Sequence, residues 1–424
     1  MLVLLASRPD PALAAGNTIT TLSVYAGDSA LAIDAAGNPV VAYRDALDQR
    51  LKVLHCNDPY CTGGGESLTS PDPQRGQWPS ILLDASGNPV ISYYTTVFDK
   101  LKVLHCNDPN CATGGDTIAT PDPGTFLLES PTSLALDASG NPVVAYAPPY
   151  ELRVLHCNDP LCVGLNESIT THDIYVGAPS IALDASGYPV IAYYKTNGVI
   201  WTTGTMKVMH CNDADCAPGN NETTATPDAG PGITPSLRLD ASGRPVIAYD
   251  TGSTTNDLKV MHCNDVNCAG MNETIMTPDS VGDVGGEPSL LLDGGNPLVS
   301  YRDETNGSLK LLRCNDANCA LGGDAMVSLD SASDSGEMSA LALDASGYPA
   351  VTYDAGADLH LLRCGSPSCE DAVGGLTELP GALAAPSRGG PPLAAIIAGV
   401  AAGALALAAI AWRAFGRLGT LSVR

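Results

Sequence analysis

Short apolar runs recur along most of the chain and are separated by polar links of nearly constant composition. In one stretch the runs cover residues 80–84, 89–93 and 101–106, and a run at 167–171 shows the fourth member of the unit. Runs of four to six residues rich in Val, Ile and Leu are typical of β-strands. In the third run Leu and Val alternate with Lys or His, as expected for a strand with one face partly in water. The pattern therefore predicts four strands per unit.

The link between the first and second runs has the form Asp-Ala-Ser-Gly-x-Pro in most units. Its Asp and Ser can bond nearby backbone amides, and its Gly supplies the positive φ that a tight hairpin needs. The Pro stands at the start of a strand, where a missing N–H does least harm. All seven units carry this link, which begins at Asp34, Asp84, Asp137, Asp184, Asp240, Asp293 and Asp344.

The seven units follow one another with a spacing of 50 to 54 residues. An array with this period in strand-like sequence predicts a ring of β-sheets. Four strands repeated seven times resemble a seven-bladed β-propeller, and lines such as PVIAYY and DASGNPV resemble the degenerate repeats of bacterial cell-surface propellers. A more distant likeness connects them to sialidase-type and lectin-type blades. The resemblance covers about residues 17–379 and implies an all-β propeller domain at 16–379.

The ends of the array predict how the ring closes. Residues 17–21 match the fourth strand of a unit, although they precede the first full unit. We expect this N-terminal strand to complete the last blade, which removes an open sheet edge. The alternative is the segment 374–377, where the last unit's own fourth strand would fall.

All fourteen cysteines occur in Cys-x4-Cys pairs, one pair in each unit. Four intervening residues suit a local disulfide, and matched pairs in this number are typical of an exported protein. We predict the bridges Cys56–Cys61, Cys106–Cys111, Cys157–Cys162, Cys211–Cys216, Cys263–Cys268, Cys314–Cys319 and Cys364–Cys369.

A metal site is the alternative for these pairs, because five units place a histidine just before the first cysteine (His55, His105, His156, His210 and His262). Zinc needs four ligands, whereas each pair is isolated by about fifty residues. Arg313 and Arg363 replace the histidine in the last two units. We therefore predict disulfides and neither a metal nor a cofactor, with the histidine as a partly exposed strand residue.

Charge and the two ends of the chain bear on location and partners. The formal net charge of −25 disfavours nucleic acid as a partner. Residues 1–15 resemble the remnant of a signal peptide, and residues 380–392 form a Pro/Gly/Ala-rich linker. Residues 393–412 carry no charge and precede a basic tail at 413–424, which predicts a single-pass membrane helix with the propeller outside the cell. Gly399 and Gly403 give this helix a small-residue pair for a weak homodimer.

The candidate site follows from which loops vary. In a four-stranded blade the constant links share one face of the ring, so the variable loops share the other, where function can reside. We predict ligand-binding residues on this variable face, either in its loops or where the second strand ends: Trp78, Trp201, Tyr43, Arg44, Asp45, Tyr94, Tyr194, Lys195, Arg302 and Asp303. For the repeated tyrosine the alternative is blade-to-blade packing, with its hydroxyl on the backbone.

These residues favour a non-enzymatic module that binds a glycan or a surface protein. A sialidase-like or other glycoside hydrolase is the first alternative, yet arginine is sparse and no unit holds an acidic pair of its own. No phosphate loop, nucleophile elbow or metalloprotease motif occurs. A purely structural envelope protein is the second alternative.

Overall fold

The computed structural model describes residues 16–378, except 96–99, 113, 123, 125–130, 149–150, 165, 197–203, 253–255, 332–333 and 371–372. The described residues form strands and turns, and they contain no helix long and apolar enough to cross a membrane. The predicted signal remnant, linker, membrane helix and tail lie outside the described residues, as do Gly399 and Gly403.

Seven β-sheets, one for each repeat unit, make up the described part of the chain, and their strand pairs are antiparallel apart from one parallel pair in the last sheet. Blade 1 contains β2 (Ala26–Ile33), β3 (Pro39–Asp45), β4 (Leu51–His55) and β5 (Ser67–Thr69), and blade 2 contains β6 (Gln77–Leu83), β7 (Pro89–Thr95), β8 (Lys100–His105) and β9 (Thr117–Ala119). Blade 3 contains β10 (Ser133–Leu136), β11 (Pro142–Tyr146), β12 (Glu151–His156) and β13 (Ser168–Ile174). Blade 4 contains β14 (Val176–Leu183), β15 (Pro189–Thr196), β16 (Gly204–His210) and β17 (Thr223–Ala225).

The remaining blades repeat this order with one addition at the end. Their strands are β18 (Ile233–Leu239), β19 (Pro245–Asp250), β20 (Leu258–His262) and β21 (Thr274–Asp279) in blade 5; β22 (Val284–Asp293), β23 (Asn296–Asp303), β24 (Ser308–Arg313) and β25 (Ala325–Asp330) in blade 6; and β26 (Ser335–Leu343), β27 (Pro349–Ala355), β28 (Asp358–Arg363), β1 (Asn17–Val24) and β29 (Val373–Glu378) in blade 7.

The ring closes as predicted, through the N-terminal strand. β1 pairs antiparallel with β28, from Thr18 opposite Arg363 to Val24 opposite Asp358. The alternative segment also forms a strand, but β29 lies outside β1 and runs parallel to it, as a fifth strand. The first strand of each blade contacts the first strand of the next, and β26 contacts β2. The chain is therefore a closed seven-bladed β-propeller with four-stranded blades.

The core lies between the blades. Seven clusters of buried side chains each combine residues of two neighbouring blades. In the first interface, for example, Val53 of β4 packs with Ile91 of β7 and Leu104 of β8. Aliphatic side chains fill these clusters, which fits a chain with only 5% aromatic residues. Each blade consequently needs its neighbours to bury its apolar faces.

All seven predicted disulfides are present, and every one is buried in the cluster between its own blade and the preceding one. The histidine that precedes the cysteine pair in five blades is a structural residue. Nε2 of His105 lies 3.0 Å from Oδ2 of Asp84, the aspartate of the hairpin link, and its Nδ1 lies 2.8 Å from the carbonyl of Pro160 in the next blade. Arg313 and Arg363 bind the link aspartates of their own blades in the same way. This pairing explains why arginine can replace the histidine.

The repeated tyrosine is also structural, because all seven copies are at most 2% exposed. The tyrosine hydroxyls were expected to bond to backbone, and this expectation was wrong. Six of the seven donate to the side chain of an aspartate in the preceding blade. Tyr249 donates to Asp228 at 2.8 Å, and Nζ of Lys259 lies 2.7 Å from the same carboxylate oxygen. In the closing interface Ser23 takes the place of the aspartate beside Tyr43. We call the contact between the repeated tyrosine and its polar partner in the preceding blade, an aspartate in six blades and Ser23 in the closing interface, the interblade clamp.

Candidate functional site

A β-bulge interrupts the first strand of six blades near the variable face. It appears as a register shift against the second strand, for example between Gln77 and Ser80. One residue of each bulge has a positive φ of 44° to 51°. These bulge residues are Asp28 in blade 1, Trp78 in blade 2, Ala178 in blade 4, Thr234 in blade 5, Glu287 in blade 6 and Met338 in blade 7. The equivalent position of blade 3 lies outside the described residues. Such bulges redirect side chains, here toward the mouth of the central channel.

These bulge residues line a recess of about 250 Å³ at the mouth of the channel. Their side chains differ from blade to blade, in contrast to the repeated residues of the scaffold. Trp78 brings the aromatic surface, Asp28 and Glu287 bring carboxyl groups, and Met338 brings an apolar side chain. Prolines follow several of the bulge residues and complete the wall. The recess is therefore asymmetric, although the ring that forms it is nearly symmetric.

A second variable position supports the recess from behind. It is the residue after the repeated tyrosine, near the end of the second strand: Arg44, Tyr94, Ala147, Tyr194, Asp250, Arg302 and Asp354. Several of these side chains contact the bulge residues. Nη1 of Arg44 lies 3.5 Å from Oδ2 of Asp28, and the Thr234 hydroxyl donates to Asp250. The two variable positions together form one layer of unit-specific side chains.

Carboxyl groups with raised pKa values gather on one side of this layer. Asp354 is 7% exposed, and its carboxyl group accepts a hydrogen bond from the backbone N–H of Asp28. Its Oδ1 has no hydrogen-bond partner among the described residues. Burial, together with the nearby charges of Asp28 and Glu287, raises the pKa of Asp354 to about 8. This carboxyl group is therefore protonated at neutral pH and can donate a hydrogen bond.

Two further acids behave in the same direction. Burial raises the pKa of Asp250 to about 6, although the Thr234 hydroxyl stabilises its charged form. Glu287 is exposed as a residue, yet partial desolvation of its carboxylate, which accepts the Met338 N–H at 2.6 Å, also raises its pKa. Raised carboxyl pKa values that cluster in a cleft are typical of functional sites.

Arg302 is held in an ion-pair network beside this acidic group. It is buried and lies 3.0 Å from Glu304 and 2.8 Å from Asp334, and it also pairs with Glu337. Two of these partners flank the bulge of blade 7. Arg302 therefore positions the rim of the recess, while its charge is already matched by carboxylates.

Six of the ten predicted site residues fall into three groups. Trp78 lines the recess, and Arg44 and Arg302 lie behind it. Tyr43 and Tyr94 are buried in interblade clusters. Trp201 lies outside the described residues.

The other four predicted residues have structural contacts. Lys195 binds Asp173 of an interblade clamp, Asp45 accepts the backbone N–H of Leu47 in a turn, and Asp303 accepts both the backbone and side-chain N–H of Asn306. Tyr194 packs so closely on Gly177 that a Cβ there would overlap the tyrosine hydroxyl.

One group of potential metal ligands occurs among the residues that the structure describes, namely Cys157, Cys162 and Glu167. The two sulfur atoms are joined in a disulfide, so neither is available as a thiolate. The acids of the recess do not form such a group.

Comparison with known proteins identifies the fold and not a family. No protein-family model and no curated protein matches the chain. A polysaccharide lyase, an ulvan lyase solved with a -[GlcA(1-4)Rha3S]- saccharide, is 12% identical and has a TM-score of 0.52, with 81% of this chain and 94% of that chain covered.

Two further solved structures show similar coverage. A protein of unknown function from Dyadobacter fermentans DSM 18053 is 11% identical over 82% of this chain and 96% of its own, with a TM-score of 0.49. The NanB sialidase from Streptococcus pneumoniae is 12% identical over 81% and 69%, with a TM-score of 0.43. At these identities the likeness shows a shared propeller fold alone, which includes the expected distant likeness to sialidase-type propellers.

Proposed function

We propose that this propeller is a non-enzymatic binding module that holds a carbohydrate in the recess at the channel mouth. One observation carries the proposal: the bulge side chains of six blades all differ, and they converge on a single cavity that contains an aromatic ring and two carboxyl groups. A structural protein has no need of such convergence, since the repeated clamps and disulfides already stabilise the ring. Function in a repeat architecture is expected where the repeats differ.

As a ligand for the recess, a sugar is better suited than the flat surface of a partner protein. An indole ring offers an apolar face for the C–H groups of a pyranose, and carboxyl groups bond its hydroxyls. A cavity of about 250 Å³ is smaller than the range of roughly 300–1,000 Å³ usual for drug-sized ligands, so it fits one sugar unit. The saccharide bound by the ulvan lyase makes uronate-containing glycans a sensible first set of probes.

A glycan array on the full chain tests this proposal. Trp78→Ala should abolish binding, because it removes the aromatic wall of the recess. Tyr175→Ala is the matched control: this tyrosine also has a positive φ and is 44% exposed, but it does not line the recess. Loss of binding in both variants, or in neither, would contradict the assignment of the recess.

A second candidate function is glycoside hydrolysis, favoured by one specific observation. A carboxyl group with a pKa of about 8 is suited to donate a proton to a leaving group, and Asp28 and Glu287 lie close enough to act on its charge. Turnover of chromogenic glycosides by the wild type, lost in Asp354→Asn while binding remains, would establish this function in place of simple binding.

The seven disulfides support a location outside the cytosol. We propose that residues 393–412 anchor the propeller to the cell membrane. Protease treatment of intact cells should remove the propeller and leave a membrane-bound fragment. Resistance of the propeller in intact cells, with cleavage after lysis, would place it inside.

A further inference from the structure

The central channel contains a cavity whose lining differs from that of the recess at the channel mouth. Its volume is about 560 Å³, and the first strands of all seven blades line it. Ser, Ala, Leu and Ile make up most of the lining. Arg238 is the one charged residue among the described residues that line it.

This arginine departs from the repeat. Counting from the link aspartate, the equivalent residues of the other blades are all apolar: Ala32, Leu82, Ala135, Ala182, Leu291 and Ala342. The scaffold therefore does not require a charge at this place. Leu82 and Leu291 show that a leucine fits the channel wall here.

The charge of Arg238 is not compensated by the protein. Its Nη1 donates to the carbonyl of Leu237 at 2.7 Å, and no carboxylate lies within 4.0 Å of its guanidinium among the described residues. Arg238 is partly exposed, and its guanidinium lies in a channel where its loss of contact with bulk water lowers its pKa, with no charged neighbour to oppose this shift. The guanidinium stays protonated even so, and a partly desolvated charge without a counter-charge is costly. An anion in the cavity would reduce this cost.

A ring of serine hydroxyls lies on the same wall. Each of five serines accepts a backbone N–H from the next blade, at 2.9 to 3.2 Å, namely Ser80, Ser133, Ser180, Ser236 and Ser289. Because the hydroxyl oxygen is the acceptor in these bonds, its hydrogen is left to donate elsewhere. Within the described part of the chain none of the five donates to a protein acceptor.

The ring and the arginine are close enough to act together. Ser236 and Arg238 are two residues apart on β18, so their side chains leave the strand on the same side, about 7 Å apart along it. The planar guanidinium presents a fork of N–H donors that matches two oxygens of an oxyanion.

We propose that Arg238 and the serine ring form a binding site for a small carboxylate or oxyanion inside the channel. The guanidinium supplies the charge, and the hydroxyls of neighbouring blades supply further donors. This site lies deeper than the recess, since about four residues of strand, roughly 13 Å, separate Arg238 from Thr234 at the mouth. It is independent of the carbohydrate proposal.

Isothermal titration of the full chain with the sodium salts of acetate, sulfate and phosphate tests the site, with sodium chloride as the background electrolyte throughout. The ionic strength is held near 0.15 M, where the field of the −25 charge is screened within about 8 Å. Arg238→Leu is the test variant, because leucine already stands at this place in two blades. Arg75→Leu is the control, since Arg75 is exposed and does not line the cavity.

We expect saturable binding of one anion per chain in the wild type and in Arg75→Leu, and at least tenfold weaker binding in Arg238→Leu. Without added anion Arg238→Leu should melt at a higher temperature than the wild type, and added anion should raise the melting temperature of the wild type alone. Undiminished binding by Arg238→Leu would overturn the proposal, as would the lack of saturable binding of all three oxyanions by the wild type.

Discussion

Replacing Asp354 with asparagine should stabilise the propeller at neutral and alkaline pH. The carboxyl group is 7% exposed, and burial beside Asp28 and Glu287 raises its pKa from 3.8 to about 8. Because the folded pKa exceeds the unfolded one, the folded state binds more protons between these two pH values. Stability is therefore complete below the unfolded pKa and falls as the pH rises toward 8.

The size of the effect follows from the same two values. Each pH unit above 3.8 costs the folded state about 1.36 kcal/mol, so the penalty is about 4 kcal/mol at pH 7 and levels off near 6 kcal/mol above pH 8. Asparagine keeps the shape of the side chain and cannot ionise. Its oxygen still accepts the Asp28 N–H, while its NH2 group faces the neighbouring carboxylates as a donor.

Urea unfolding at pH 5, 7 and 9 measures the effect through the free energy of unfolding. Asp354→Asn should match the wild type most closely at pH 5 and exceed it increasingly at pH 7 and 9. Asp257→Asn is the matched control, because Asp257 is half-buried on the same face and its side chain makes none of the described hydrogen bonds or ion pairs. If Asp354→Asn and the wild type lose stability in parallel from pH 5 to pH 9, the burial argument is refuted.

Four further outcomes are expected from the scaffold. Tyr249→Phe removes the hydroxyl bond to Asp228 and should cost about 1–2 kcal/mol in thermal unfolding, whereas Tyr25→Phe, at an exposed tyrosine, should cost nothing measurable. His210→Arg should keep the stability that His210→Ala loses, since arginine serves in two other blades. Deletion of residues 1–24 should yield aggregates in size-exclusion chromatography, because it opens the edge of β28. Non-reducing mass spectrometry should find the chain fourteen hydrogens lighter than its reduced form.

The features that depend on near neighbours in sequence were predictable. The four-strand units, the hairpin links and the disulfides each repeat seven times within about fifty residues, so chance matches are averaged out. The closure by β1 was predictable because residues 17–21 keep the pattern of a fourth strand out of its usual order. The added strand β29 was less predictable, since a parallel fifth strand has no counterpart in the other six units.

The interblade clamp was missed although its signal is present. An aspartate recurs near the end of the fourth strand or just after it in six units, often within Thr-Pro-Asp, as at Asp122 and Asp228. Each aspartate binds the tyrosine of the following unit, and a comparison made unit by unit does not reveal that relation. The correct partner becomes apparent only when the outer strand of one blade is known to lie against the next blade.

The acidic side of the recess was also missed because its residues belong to different units, in this case units at opposite ends of the array. Asp28, Glu287 and Asp354 belong to blades 1, 6 and 7, which are neighbours only after the ring has closed. A search for an acidic pair within one unit could not find them. Arg238 was different, because it stands out in the sequence against alanine and leucine at the equivalent positions, and only its place on the wall of the channel cavity gives that contrast a meaning.

Backbone strain at the recess does not itself indicate function. The left-handed bulge residue recurs in six blades with φ values between 44° and 51°, whether it is Asp28, Ala178 or Met338. Strain that is the same in each of these blades is a cost of turning the inner strands toward the channel, and a scaffold can carry it without any ligand. What varies is the side chain that the bulge presents. Selection for binding would act on that variation, so substitutions that exchange bulge side chains should alter ligand binding far more than they alter the fold.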